Sequence, residues 1–376
     1  KIFMKKKVFT AIGLMSGTSM DGIDLSIIKS DGNNEFTSVL DKFWEFEDDL
    51  RENLINLRKK IILPKDLIKH SKEMLSIERK ITLYHSKIID KIIKNYENID
   101  LIGFHGQTIF HDSKNQISKQ LGDGKLLSQL SKRIVINNFR NKDLLNGGQG
   151  APLTPIFHQL ISKIINRKFK IDFPINFINI GGITNLTHVG DFFYGCDIGP
   201  GNCLIDEWIR KNSNDKFDKN GKFASSGKID NLILNQAIEN FNITKYDKSL
   251  DINDFDLSFV RGLNLENGSA TITNFTAYLI SKGIKYFIKK TKSKGTYFIC
   301  GGGRKNKKLI YDLKNYLNDK DIKLKNIDDY GFDGDFIESQ SFAYLAIRSF
   351  LGLPLSFPST TGCKTPTIGG DVNQNF

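Results

Sequence analysis

Apolar positions in this chain recur at two periods, and segments of the two kinds alternate. Residues 9–28 read as an apolar run, then a small polar turn (Ser16, Gly17, Thr18, Ser19, Met20, Asp21, Gly22), then a second apolar run over 23–28. Residues 175–189 repeat the device, with an apolar run over 177–180, a turn of Gly181, Gly182, Ile183, Thr184 and Asn185, and a return over 186–189. Short apolar runs bounded by turn residues predict strands, and both turns are rich in residues that tolerate positive φ and expose backbone N–H groups. The copies lie roughly half the chain apart, a spacing that predicts duplicated domains and not a short-period repeat.

Helical spacing is predicted over 50–60, 65–94, 154–165, 202–211, 229–240, 271–289 and 336–351, the last stopped by Gly352 and Pro354. Further buried strands are predicted at 101–104, 133–137 and 297–300. Strands alternating with helices indicate α/β domains with mixed sheets. A length of 376 residues suits two domains. No low-complexity linker separates them, so the boundary is expected inside ordered structure near residues 166–175.

Composition narrows the class. A 39% hydrophobic share with 11% aromatic residues excludes wholesale disorder. No apolar run approaches the roughly 20 residues that span a bilayer, so no membrane partner is expected. The net charge of +12 raises the question of nucleic acid, but only ten of the 54 basic residues are Arg and they are scattered. A dispersed Lys excess reads as solvated surface, which could still attract an anionic small substrate. Cys196, Cys203, Cys300 and Cys363 show no CxxC spacing, which fits a reducing compartment. Lys5, Lys6 and Lys7 before the apolar residues 8–15 mimic a signal peptide without a cleavage site, so a cytoplasmic location is expected. Met4 is a plausible start, which would make residues 1–3 an upstream extension.

The chemistry gathers in the glycine turns. The G-x-x-x-x-G spacing of Gly17–Gly22 begins like a Walker A loop, but Ile23 and Asp24 follow where Lys and Ser/Thr are required. What remains is either an ordinary hairpin or a turn that cradles a polyphosphate and holds the waters of a Mg²⁺ ion through Asp21. Gly181 and Gly182 offer a second close backbone approach. Gly301, Gly302 and Gly303 end the 297–300 strand, where a base or ribose could pack on bare backbone. The sequence from Gly147 to Pro152, with Gln149 and Gly150, leads into the helix near Thr154 and gives an anion-friendly N-terminus.

Asp197 is placed between a strand and a helix start, flanked by glycines, as the base a phosphoryl transfer demands. Its alternative is a helix cap, for which Asn202 is better spaced; Asp206 and Glu207 suit the helix dipole. His105 and Gln107 are expected to emerge at the end of the 101–104 strand, where α/β sheets bind ligands. His111 lacks a third ligand for a metal. Arg140 and Asp143 could pair with each other or meet substrate. Glu338 opens a helix, where dipole alone would favour it. No nucleophile elbow is present, and the carboxylate next to Cys196 disfavours its thiolate.

Together these blocks resemble the 1,6-anhydro-N-acetylmuramic acid kinases. The likeness rests on Gly13–Asp24 (GLMSGTSMDGID), on 103–108, on Gln120–Asp123, on Phe139, Arg140 and Asp143, and on 147–153. It continues through Asn179–Asn185, Asp197–Asn202, Cys300–Gly303, Glu338, and Thr361 with Gly362. Leu121 and Asp123 depart from the more usual Ile and Asn, and residues 212–222 vary.

The resemblance implies two related α/β domains of the actin/hexokinase/Hsp70 ATPase type (ribonuclease H-like) flanking an interdomain cleft that closes to exclude water. The first comprises 8–170 plus 336–376 and the second 171–335. It implies ATP with Mg²⁺, bound by residues 16–22, Asp24, Gly181, Gly182, Asn185 and Gly301–Gly303. It assigns the base to Asp197, and the sugar side to His105, Gln107, Gln149, Gly150, Asn202 and Glu338. The implied reaction adds water at C1 and phosphorylates O6, giving N-acetylmuramic acid 6-phosphate for cell-wall recycling. The partner is then a small anionic sugar, not nucleic acid, and a homodimer is one assembly open to the chain. Two other readings share the phosphate turns: an ATP-gated conformational module, and a kinase for a different sugar.

Overall fold

The computed structural model describes residues 8–96, 98–241, 246, 250 and 254–376. The basic triplet 5–7, the start at Met4 and the 1–3 extension lie outside the described residues. The chain divides into one compact unit of 1–163 with 336–376 and a second of 164–335. The division falls within the helix Pro155–Phe169, a few residues before the sequence-based boundary.

The first unit carries a mixed sheet of β1 (Phe9–Ser16), β2 (Gly22–Ser30), β3 (Phe36–Glu45), β4 (Leu101–Asp112), β5 (Ile117–Leu121), β6 (Ile134–Asn137) and, from the far end of the chain, β12 (Asp371–Asn373). Its order is β12-β6-β4-β1-β2-β3, with β5 also on β4. The second unit carries β7 (Ile175–Ile180), β8 (Ile183–Val189), β9 (Phe193–Pro200), β10 (Gly295–Cys300) and β11 (Ile322–Asn326), ordered β11-β10-β7-β8-β9. The series β6-β4-β1-β2-β3 has the same order. In both, an antiparallel three-strand meander is followed by two parallel strands added on its first-strand side. The α/β fold with mixed sheets is therefore as expected, and the topology of one unit repeats in the other.

Strand periodicity decides what each face meets. In β1, Ile12 and Leu14 join a core with Leu54, Ile77 and Ile81 of the helices Asp48–Lys60 and Ser71–Ile93. Gly13, between them, faces the helix Ile337–Phe350 so closely that a Cβ would stand 1.9 Å from the Ser339 carbonyl oxygen. Its parallel partner Gly103 would meet the Phe342 carbonyl oxygen at 2.3 Å. Both positions are glycine because helix backbone occupies the space. In the second unit, Ile178, Ile180, Leu186 and Ile198 pack with Ala277, Ile280 and Ile284 of the helix Leu265–Thr291.

Several elements depart from the sequence pattern. The 65–94 helix is two, Pro64–Lys69 and Ser71–Ile93, broken at His70. β4 continues eight residues past Phe104, because a bulge and the positive φ of Gly106 keep the polar residues in register with β1 and β5. β8 begins at Ile183, which shortens the second turn to Gly181 and Gly182. Leu121 is buried at the end of β5, and Asp123 caps the helix Gly124–Ser131 by accepting from Leu126 N at 3.0 Å. An Asn there could cap equally well.

Candidate active site

The expected site residues divide between the two units. In the first, the β1–β2 turn is held from inside. Ser16 Oγ lies 2.8 Å from the Gly22 carbonyl oxygen and 2.7 Å from Gln107 Oε1, and Gln107 Nε2 donates to the Gly17 and Thr108 carbonyls at 3.0 and 3.3 Å. Met20 adopts φ 54° and buries its side chain in the core. Gly22 is glycine because a Cβ would stand 2.2 Å from the Trp44 carbonyl oxygen. Ser16, Met20, Gly22 and Gln107 therefore shape the turn from inside, and its backbone N–H groups and exposed hydroxyls are what it offers outward.

Thr18 and Ser19 remain exposed at its tip, and Asp21 is half-buried with Oδ1 accepting from Ser19 Oγ at 2.7 Å. Asp24 pairs across from Met15 in β2, half-buried below the turn. No group of three or more His, Cys, Asp or Glu that could hold a metal occurs among the described residues. A magnesium ion arriving with nucleotide phosphates needs only one or two carboxylates and keeps several waters, a demand Asp21 can meet.

His105 also differs from expectation. It lies within β4, stacked 4.4 Å from Phe342, and both ring nitrogens are engaged. Nδ1 donates to the Gly106 carbonyl at 2.7 Å, and Nε2 accepts from Arg140 Nε at 3.2 Å and Nη2 at 2.9 Å. Burial, then the adjacent guanidinium, holds the imidazole well below its ordinary pKa, so it is neutral. Its partner Arg140 in turn donates from Nη1 to the Gly150 carbonyl at 2.8 Å.

Asp143 anchors the same glycine loop. Its Oδ2 accepts from Gly150 N at 2.7 Å, and its Oδ1 accepts from Thr361 Oγ1 at 2.6 Å and from Ser356 Oγ. Gln149 N donates to the Thr361 carbonyl at 2.8 Å, leaving the Gln149 side chain half-buried. Glu338 is half-buried in the first turn of its helix.

In the second unit, the Gly181 carbonyl accepts from Asn202 N at 2.7 Å, and the Gly182 carbonyl accepts from Gly201 N at 2.9 Å and Cys203 N at 3.3 Å. In a trans peptide N–H opposes C=O, so the Gly182 N–H points away from the Gly181 carbonyl's contact with Asn202. Asn202 sits at the N-cap of the helix Cys203–Asn212, but its side chain makes no capping bond.

Asp197 lies inside β9, three residues before its end, not between strand and helix. Asn179, Asn185 and Asp197 are successive cross-strand partners over β7, β8 and β9, so they form one polar row. That row faces away from Ile178, Leu186 and Ile198, and so from the helix Leu265–Thr291. Asp197 is buried, and its Oδ2 accepts from Leu250 N at 2.9 Å. Burial, reinforced by the Asp197 charge, pushes the neighbouring Cys196 thiol up to about 12 and leaves it inert.

Gly301 has φ 78° and ψ 166°, a region open to glycine, and a Cβ there would stand 2.5 Å from Asn179 Oδ1. Sequence reasoning missed what fixes this loop. Arg304, nearly fully buried, donates from Nη1 to the Gly301 carbonyl at 3.1 Å. It also meets Asp328 at 2.9 Å, Asp333 at 3.2 Å, and Asp335. Gly301 N donates to the Gly334 carbonyl at 2.8 Å. An Arg directly after the glycine run, with aspartates clustered at 328–335, was the available signal.

A family model described as anhydro-N-acetylmuramic acid kinase matches residues 9–374. The chain belongs to the anhydro-N-acetylmuramic acid kinase family. A member from Pelagibacter ubique (strain HTCC1062) is 52% identical over 379 residues, covering 99% of this chain and 100% of its own. Family members from Brucella canis (strain ATCC 23365 / NCTC 10854 / RM-666) and Rhodopseudomonas palustris (strain ATCC BAA-98 / CGA009) are 37% and 34% identical, each covering 96% of this chain. As a member of this family the chain is a kinase, a phosphotransferase with an alcohol acceptor. No helix among the described residues is long and apolar enough to cross a membrane.

Proposed function

We propose that this kinase uses ATP to phosphorylate O6 of 1,6-anhydro-N-acetylmuramic acid while water adds at C1 and opens the anhydro bridge. The product is N-acetylmuramic acid 6-phosphate, and the role is recycling of cell-wall fragments in the cytoplasm. The observation that carries the reading is Asp197, a buried carboxylate oriented by the Leu250 amide in a strand that ends beside the Gly181–Gly182 turn. In this role Asp197 takes a proton from the attacking water, and neighbouring groups hold the reactants in line.

The Thr18 and Ser19 hydroxyls and the Gly182 amide are suited to phosphate oxygens, and the bare backbone of Gly301–Gly303 to the adenosine side. A magnesium ion on the phosphates would neutralise their charge, with Asp21 holding it through water. Arg140, held by His105, supports the Gly150 loop, and this reading assigns Gln149 and Glu338 of the first unit, and Asn202 of the second, to the sugar. The test is whether ADP release by the purified chain requires the anhydro-sugar, with N-acetylmuramic acid as control. Equal release with any sugar, or with none, overturns the reading.

A further inference from the structure

Asn185 and Asp197 are direct partners across β8 and β9, so their side chains leave the same face of the sheet side by side. The Asp197 carboxylate is oriented by the Leu250 amide at 2.9 Å. Asn185 Oδ1 is shielded from solvent and has no hydrogen-bond partner among the described residues. Buried acceptors are nearly always satisfied, so an unsatisfied one beside the candidate base calls for a donor supplied by the reaction.

The type of atom excludes a phosphate oxygen as that donor. A phosphate oxygen is itself an acceptor and cannot satisfy a carbonyl oxygen, whereas a water can. We propose that Asn185 is the second acceptor for the attacking water, an inference that rests on the ring-opening reading above. As the water oxygen bonds to C1, the C1–O6 bond breaks. The O6 electron pair bonds the γ-phosphorus, whose bond to the β–γ bridging oxygen breaks as ADP leaves. One water hydrogen must depart and the other must stay as the new C1 hydroxyl.

Asp197 and Asn185 are unequal in the way this step requires. The carboxylate takes the departing proton, and the neutral amide oxygen, too weak a base to be protonated, holds the hydrogen that remains. With both hydrogens engaged, the water's free electron pair points away from the two side chains. Asn185 then acts on the water and not on the nucleotide phosphates, which reverses the phosphate-side role expected of it.

Two variants of the full chain test this by steady-state kinetics with ATP and the anhydro-sugar. Asn185→Leu removes the acceptor at similar volume and is expected to lower kcat about 10²-fold, with KM for ATP within about twofold. Asn185→Asp places a second carboxylate beside Asp197 and is expected to move the acid limb of the pH–rate profile to higher pH, since like charges resist joint ionisation. Proximity to Asp197 is enough to move that limb, so the split between kcat and KM in Asn185→Leu carries the assignment. A raised ATP KM with kcat intact in Asn185→Leu would show a phosphate contact and overturn the proposal, as would unchanged kinetics. Should Asn185→Leu fail to fold, Asn185→Ala supplies the same split, and an unchanged kcat refutes the idea. Wild-type enzyme that ignores the anhydro-sugar removes the parent reading, and this proposal with it, before any variant is scored.

Discussion

Gln107 grips the β1–β2 turn from a strand 91 residues away from Ser16, its Oε1 2.7 Å from Ser16 Oγ and its Nε2 3.0 Å from the Gly17 carbonyl oxygen. Replacing it with Leu removes one hydrogen bond from Ser16 Oγ, which keeps the Gly22 carbonyl, and one from the Gly17 carbonyl, which keeps Met20 N. Gln107→Leu is expected to lose about 1–3 kcal/mol of stability in urea unfolding and to raise KM for ATP through the displaced turn. An ATP KM equal to wild type would show that the turn does not meet the nucleotide.

Asp197→Asn keeps the shape of the side chain and removes its basicity. Turnover with ATP and the anhydro-sugar should fall about 10²–10⁴-fold while ADP affinity measured by calorimetry stays within a few-fold. A loss of less than tenfold would reassign the base.

Gly13→Ala tests the packing of the helix Ile337–Phe350 on β1. Its Cβ would overlap the Ser339 carbonyl oxygen and the Ala343 nitrogen, backbone atoms with little room to yield, so a loss of about 3 kcal/mol is expected in thermal unfolding. Gly352→Ala provides the contrast. Its φ is 69° with no atom within 4 Å of the added methyl, and its cost should stay near 1 kcal/mol, the strain of the left-handed backbone.

Buried histidines, His85 and His158 among them, set an acid limit on stability. Burial lowers His85 to about 4 and His158 to about 3, from an ordinary 6.5. Between those values and 6.5 the unfolded chain binds protons that the folded chain does not, so stability is fully present above pH 6.5 and falls as pH drops toward 4. Each histidine should contribute on the order of 1–3 kcal/mol to that fall. Urea midpoints measured from pH 7 to 4 should decline for wild type and less steeply for His158→Leu. Parallel slopes would rule out this contribution from His158.

What the sequence made legible follows from how local each signal is. The β1–β2 hairpin could be read because its apolar runs and its turn chemistry are contiguous. β3 was missed because it is an edge strand with much of Phe36–Glu45 exposed, so its residues carry no strong apolar pattern. Asp197 was displaced from strand to loop because a segment containing Gly195, Gly199 and Pro200 looks irregular, whereas pairing with β8 makes it a strand. In the turn itself, Thr18 and Ser19 were legible as exposed hydroxyls. The inward side chain of Met20 and the grip of Gln107 were not, since both depend on contacts far along the chain. Arg304 escaped notice for the same reason: its aspartates lie 24 to 31 residues away.

The helix that covers Gly13 and Gly103 is encoded after the whole second unit. During synthesis the second unit, contiguous over 164–335, leaves the ribosome complete, while the first sheet waits with one face uncovered for Ser339, Phe342 and Ala343. The later-made unit can therefore finish folding first, and the N-terminal hairpin is covered only after Ser339, Phe342 and Ala343 have been made.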